Sequence, residues 1–291
     1  MSGLAQGVHV DAGAAIGVFD SGVGGLTVLA ALLARLPQER FVYLGDTARL
    51  PYGTKSADTV GRYALQAAGL LVSRGIKALV IACNTASAVA LPALSARHGA
   101  LPLLGVVGPG AAAAVAASRS GRIAVIGTEA TVRGEAYQRA IVERRPDAQI
   151  RAIACQLFVA LAEEGWTEGD IARSTARRYL DPLLAREGGF DADTLVLGCT
   201  HFPMLRAVIR EVVGEHVALV DSAAATAEAA HALLTARGLL CTGRRSHCAT
   251  DAQNRASVQL LATDGVQRFA TVGSRFLGRR ILPAEVQLVD L

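Results

Sequence analysis

The chain is poor in aromatic residues, lysine and long apolar runs, and it has no regular cysteine spacing. Aromatics make up 4% of its 291 residues, which leaves few platforms for stacking nucleic-acid bases. Only Lys55 and Lys77 are lysines, and the other 27 basic residues are arginines spread along the chain. A net charge of +4 without a basic stripe argues against a nucleic-acid surface and at most favours a small anionic ligand. The longest uncharged stretch runs from His98 to Ser118, but Pro102, Pro109 and Gly110 divide it. A spanning helix needs about 20 apolar residues, so no membrane span is expected despite a mean hydropathy of +0.36. The first fifteen residues lack a basic start and a sustained apolar run, so no signal peptide is expected. The five cysteines (Cys83, Cys155, Cys199, Cys241, Cys248) form an odd, irregular set. A disulfide framework is therefore not expected, and a reducing, cytoplasmic compartment is.

Hydrophobic residues are abundant, at 52% against 19% charged, which excludes a largely disordered chain. Short apolar runs alternate with Ala/Leu-rich stretches. Strands are expected at Ile16–Phe19, Phe41–Leu44, Ala78–Ala82, Leu103–Val107, Ile123–Ile126, Gln149–Ile153, Thr194–Leu197 and Val217–Val220. Helices are expected at Leu26–Leu36, Ser56–Arg74, Ala86–Arg97, Gly110–Ala117, Glu129–Glu143, Gly169–Arg186, Met204–Val213 and Ala223–Arg237. After a polar loop at Thr242–Asp251, Ser257–Thr263 and Val286–Val289 read as strands again. This alternation predicts an α/β fold with mostly parallel sheets, whose ligands sit beyond the carboxyl ends of the strands. The chain also resembles itself. Leu79–Thr85 (LVIACNT) matches Leu195–His201 (LVLGCTH) 116 residues later, and Ile16–Asp20 matches Ile123–Gly127 at an offset of 107. Two related α/β units are expected.

Cys83 and Cys199 each follow an apolar strand and precede polar residues, Asn84-Thr85 and Thr200-His201. Each is expected to open a helix, whose partial positive charge lowers a thiol's pKa. Asp20-Ser21-Gly22-Val23-Gly24-Gly25 is a glycine-rich turn that lacks the lysine of a phosphate loop and the spacing of a dinucleotide fingerprint. It offers a carboxylate and a hydroxyl at a strand end. Pro51-Tyr52-Gly53 reads as a turn with backbone N–H groups open to an anion. Spacing alone does not separate Glu163 from Glu164, either of which reads equally well as a solvated helix-end charge. His201 can hold or deliver a proton near neutral pH. Cys241, His247 and Cys248 lack a second ligand pair, so no metal site is expected. Neither lysine stands in an anchoring motif, so no pyridoxal-type cofactor is expected.

Taken in order, Asp20–Thr27, Asp46-Thr47 with Pro51-Tyr52-Gly53, Ala82–Ala86 and Gly198–His201 resemble the glutamate racemases of the aspartate/glutamate racemase family. A weaker echo follows in Leu261–Asp264 and Phe276–Gly278. The resemblance implies two pseudo-symmetric α/β domains, residues 15–108 plus 218–291 and residues 109–217, with the active site in the cleft between them. It implies that Cys83 and Cys199 are the two acid/base residues of a reaction that needs no cofactor. It further implies that Asp20, Ser21, Tyr52, Gly53, Asn84, Thr85, Thr200 and His201 bind substrate, and that Asp20, His201 and Glu163 assist proton transfer. The substrate implied is L- or D-glutamate, with D-glutamate destined for bacterial peptidoglycan. Cys83 would face the proton of the D-isomer and Cys199 that of the L-isomer. No nucleic-acid or membrane partner is implied, and a homodimer is left open. Where the family approaches its glutamate with a Pro-Leu-Phe-Val-Pro type segment, this chain has Gln156-Leu-Phe-Val-Ala160, which bears on the placement of Glu163. The alternatives are an aspartate or other acidic amino-acid racemase, a cysteine-nucleophile amidohydrolase with His201 as base, and a non-catalytic anion-binding module.

Overall fold

The computed structural model describes residues 11–184, 190–241 and 257–291. Its strands are β1 (Ile16–Asp20), β2 (Phe41–Gly45), β3 (Ala78–Ile81), β4 (Leu103–Gly105), β5 (Arg122–Gly127), β6 (Gln149–Ala154), β7 (Thr194–Gly198), β8 (Ala218–Asp221), β9 (Val258–Ala262) and β10 (Val286–Leu288). They form two all-parallel sheets, one ordered β10-β9-β2-β1-β3-β4 and the other β6-β5-β7-β8. The order β2-β1-β3-β4 of the first recurs as β6-β5-β7-β8 in the second, so the internal resemblance of the sequence is a repeat of topology. In both units the strand order reverses around the first strand, and such a reversal opens a crevice at the strands' carboxyl ends.

The helices are α1 (Leu26–Arg35), α2 (Ala57–Ser73), α3 (Asn84–Arg97), α4 (Val107–Ala117), α5 (Glu129–Arg133), α6 (Ala136–Arg144), α7 (Leu157–Glu164), α8 (Gly169–Leu184), α9 (Arg206–Val213), α10 (Ser222–Ala236) and α11 (Val266–Leu277). Parallel strands buried on both faces need helices on both. Leu26 and Leu29 of α1, Ala227 and Ala230 of α10 and Phe269 of α11 cover one face of the first sheet; Ala64 and Ala68 of α2 and Ala90 of α3 cover the other. The second sheet lies between α7, α8 and α9 on one side and α4 and α6 on the other.

Three expectations need correction. Ala218–Asp221 pairs with β7, so the strand placed with the first domain belongs to the second sheet, and the chain crosses back only with α10. The helix expected over Glu129–Glu143 is two helices, because Glu135 adopts a left-handed backbone (φ 51°) after Gly134. Leu103–Val107 is a strand only to Gly105, since Val107 already begins α4. The loop expected at Thr242–Asp251, with His247 and Cys248, lies outside the described residues, as does the end of the helix drawn to Arg186. Among the described residues no helix is long and apolar enough to cross a membrane.

Lys77 is not on the cleft side. It precedes β3, at the amino ends of the strands, where its buried ammonium pairs with Glu39 at 2.5 Å and donates to the carbonyls of Ala12 and Leu239. Glu39 also accepts from the backbone N–H of Cys241. Removing one partner strands a buried charge. Glu39→Ala is expected to destabilise the first domain by about 3 kcal/mol, read as a lower urea midpoint, with Glu39→Leu/Lys77→Met recovering much of the loss.

Candidate active site between two sheets

The loops after β1, β3, β5 and β7 meet around a cavity of about 40 Å³. A single water needs about 10–15 Å³ on the same measure, so the space suits a small molecule and not a polymer. Ser21, Tyr52, Gly53, Cys83, Asn84 and Thr85 line it from the first sheet's side, and Glu163, Cys199, Thr200 and His201 from the second's. Asp20 stands behind Ser21, fully buried. Sequence reading missed Thr128, Gln156 and Val159, which complete the wall. The offset of 107 that relates β1 to β5 carries Ser21 onto Thr128, so the internal repeat held the signal for that residue.

Two glycines explain how closely the units meet. A Cβ on Gly24 would lie 2.3 Å from Thr200 Oγ1 and 2.5 Å from His201 Nδ1, and one on Gly53 would lie 2.6 Å from Thr128 Cβ. Thr27 Oγ1 donates to the Thr200 carbonyl across the same seam. Thr85 Oγ1 sits 2.9 Å from Thr128 Oγ1 and 3.2 Å from Thr131 Oγ1, an all-hydroxyl contact between the two halves. Tyr137 OH donates to Asn84 Oδ1 at 2.6 Å, which leaves Asn84 Nδ2 buried and unpartnered. Asp20 Oδ1 is likewise buried and unpartnered, while Oδ2 accepts from Gly22 N–H. A buried donor and acceptor without partners are costly unless a ligand satisfies them. The Tyr52 loop is braced from behind: Tyr52 OH and Arg49 donate to Asp46, which also accepts from Thr263 Oγ1 at the end of β9. The weak echo at Leu261–Asp264 is thus a structural support for the Pro51-Tyr52-Gly53 turn.

The two thiols differ in setting. Cys83 is itself the N-cap of α3, accepting from Ala86 N–H at 3.5 Å and lying 3.5 Å from Ser21 Oγ. The expected depression of its pKa is reversed. Burial, with the Asp20 carboxylate adding to it, pushes the thiol up to about 12 against the pull of the helix N-terminus. Cys199 does not open an α-helix. A 3₁₀ turn, Phe202–Leu205, intervenes before α9, and its neighbour is His201, with Nδ1 3.8 Å from Sγ. His201 Nε2 is 3.1 Å from Glu163 Oε1. Burial disfavours the imidazolium, but the contacts with Cys199 and Glu163 outweigh it and raise the histidine to about 10. The same contact with His201 holds Glu163 below the usual carboxylate range. Burial raises Asp20, partly countered by His201. Glu163 therefore lines the cavity despite the departure at Gln156–Ala160, and Glu164 points outward. Cys155 is buried beside this core with its thiol raised by burial.

Two topologically matched sheets thus each present a buried thiol to one small cavity. Residues 21–230 match the family model described as Asp/Glu/Hydantoin racemase, and the chain belongs to that family. It is 51% identical to the glutamate racemase of Geobacter metallireducens, covering 92% of this chain and 94% of that protein. The crystal structure of glutamate racemase isoform RacE1 from Bacillus anthracis superposes with a TM-score of 0.86 at 34% identity, covering 96% of this chain and 98% of that one. The Francisella tularensis glutamate racemase, solved with D-glutamate, gives a TM-score of 0.84 at 32% identity over 96% and 98% of the chains.

A thiol held at about 12 ionises more with every step in pH below that value. The alkylation rate of Cys83 by iodoacetamide, followed by peptide mass spectrometry, is expected to climb about tenfold per pH unit from 7 to 10 without a plateau.

Proposed function

We propose that the chain interconverts L- and D-glutamate and supplies D-glutamate for peptidoglycan synthesis, with Cys83 and Cys199 as its two acid/base residues. The observation that carries this reading is the pair of buried cysteines, one from each topologically matched unit, on a single small cavity. Racemisation removes the α-proton from one face of the carbon and delivers another to the opposite face. In each turnover one cysteine is a thiolate that takes the α-proton, and the other is a thiol that gives its own. The two exchange forms with each conversion. The His201 imidazolium is placed to balance charge on Cys199. Cys83, by contrast, has an ionised form made costly by burial and by Asp20, so an incoming α-ammonium next to Asp20 favours it.

The unpartnered Asp20 Oδ1 and Asn84 Nδ2 suit an amino acid, since an ammonium satisfies the first and a carboxylate the second. Among the described residues no lysine or arginine lines the cavity. Recognition of the side-chain carboxylate then rests on neutral donors among Ser21, the backbone N–H groups of Tyr52 and Gly53, Thr85 and Thr200. Closing the cavity excludes water, so fixed dipoles and hydrogen bonds carry the carbanionic charge. The direct test is purified protein with L-glutamate in heavy water: deuterium at the α-carbon together with D-glutamate is expected, and neither would sink the reading.

Each cysteine is needed in every turnover, and serine is a far weaker base. Cys83→Ser and Cys199→Ser are each expected to lower racemisation by about 10³ or more in both directions. Cys83→Ser, which keeps the base facing the L-isomer, should exchange the α-proton of L-glutamate only, and Cys199→Ser that of D-glutamate only. The reverse pattern, read by proton NMR, would invert the assignment. Aspartate is one methylene shorter and cannot reach both sets of donors, so its kcat/KM is expected to be about tenfold or more lower, as measured by circular dichroism.

A further inference from the structure

Helix α11 reaches the cleft from the returning end of the chain, and three of its side chains converge on the Glu163–His201 pair. Arg268 and Arg275 are seven residues apart and so share a helix face. Arg268 Nη2 donates to Glu163 Oε2 at 3.1 Å and to Glu164 Oε1 at 3.4 Å. Arg275 Nη2 donates to the backbone carbonyl of Glu163 at 2.9 Å. Phe276 packs edge-on against the His201 ring, with centroids 5.1 Å apart. Helix α7 ends at Gly165 in a left-handed cap (φ 78°), and a Cβ there would lie 2.1 Å from Arg275 Nη1. The last carbonyls of a helix lack partners and carry partial negative charge. Two arginines at that end therefore answer both the free carbonyl and the paired carboxylates. Glu163 is mostly buried, with 18% of its side chain exposed, whereas 58% of Glu164 and 62% of Arg268 are exposed.

We propose that Arg268 is a positioning residue for the racemisation: it fixes the second oxygen of Glu163 so that the first orients His201 beside Cys199. This rests on the proposed function. Arg268 does not line the cavity; it acts through Glu163. The groups facing His201 are Cys199 from the loop after β7, Glu163 from α7, and Asp20 from the end of β1. Behind Glu163 stand Arg268 and Arg275 of α11, with Glu164 alongside. Arg268 draws on the charge that Glu163 offers His201 and is itself a nearby cation, so on both counts it weakens the imidazolium. Its removal strengthens the histidine's hold on its proton. The alkaline limb of kcat/KM, where that proton is lost, then moves to higher pH. Loss of the fixed carboxylate orientation meanwhile lowers the rate.

The test uses the full chain as wild type, Arg268→Gln, Arg268→Lys and Arg35→Gln. The last removes an exposed pair with Glu228, far from the cavity lining. Racemisation is followed in both directions from pH 7 to 11. For Arg268→Gln, kcat/KM is expected to fall about tenfold, with the alkaline limb raised by about half a unit. Arg268→Lys should restore the position of the limb, and Arg35→Gln should change neither quantity. An active wild type whose limb stays in place in Arg268→Gln, whatever the rate, overturns the positioning role alone. A wild type that does not racemise glutamate overturns the proposed function and this inference with it.

Discussion

The arrangement depends on how closely the carboxyl ends of two sheets approach. A carbon reached by a thiol from each side requires the loops after β1 and β3 to touch those after β5 and β7 with no side chain between them. Gly24 against Thr200 and His201, and Gly53 against Thr128, meet that requirement. At both seams an alanine methyl would overlap its neighbour, so the glycines of two motifs that read as ordinary turns serve a contact between halves that is distant in sequence. With the seam closed, the cavity shrinks to a few water volumes and the polar groups inside act in a poorly screened space. Asp20 Oδ1 and Asn84 Nδ2 lie buried without partners there, each at the cost of an unsatisfied polar group.

Much of this was legible in the sequence because the two strongest signals are local. Apolar strands ending in a cysteine and polar residues gave the repeat, and the repeat is one of topology. What escaped had physical reasons. Helix α7 is eight residues long, has no side-chain cap at its start and is apolar over its first six residues, so it shows no amino-terminal boundary and no clear period, and only Gly165 marks its end. Helix α11 did carry signals: left-handed glycines at both ends, Gly265 and Gly278, and buried residues at helical spacing from Phe269 to Leu277. The split at Glu135 left only Gly134 as a local sign, because a left-handed backbone is rare for a glutamate and propensity does not call for it.

The reversal at Cys83 is the most instructive departure. A helix N-terminus is expected to favour a thiolate, and Cys83 does occupy the cap of α3. Desolvation grows with complete burial, however, and Asp20 adds charge of the same sign; together they outweigh the cap. Sequence shows that a thiol begins a helix but not how much water reaches it. The same competition runs the other way at His201, where burial opposes the charge and two partners overcome it.

The repeat in the backbone is therefore not matched by its electrostatics. Cys83 is backed by a buried carboxylate, and Cys199 by an imidazolium tied through Glu163 to α11. The equilibrium does not demand symmetry. Enantiomers have equal free energies in water, so kcat/KM is the same in both directions for any such catalyst, however unlike its two bases. Asymmetry is free to appear in kcat and KM separately, because each direction starts from the enzyme form that its own substrate needs. On the proposed function, burial and Asp20 disfavour the Cys83 thiolate, and the isomer that reacts there brings, in its own ammonium, the charge that offsets them.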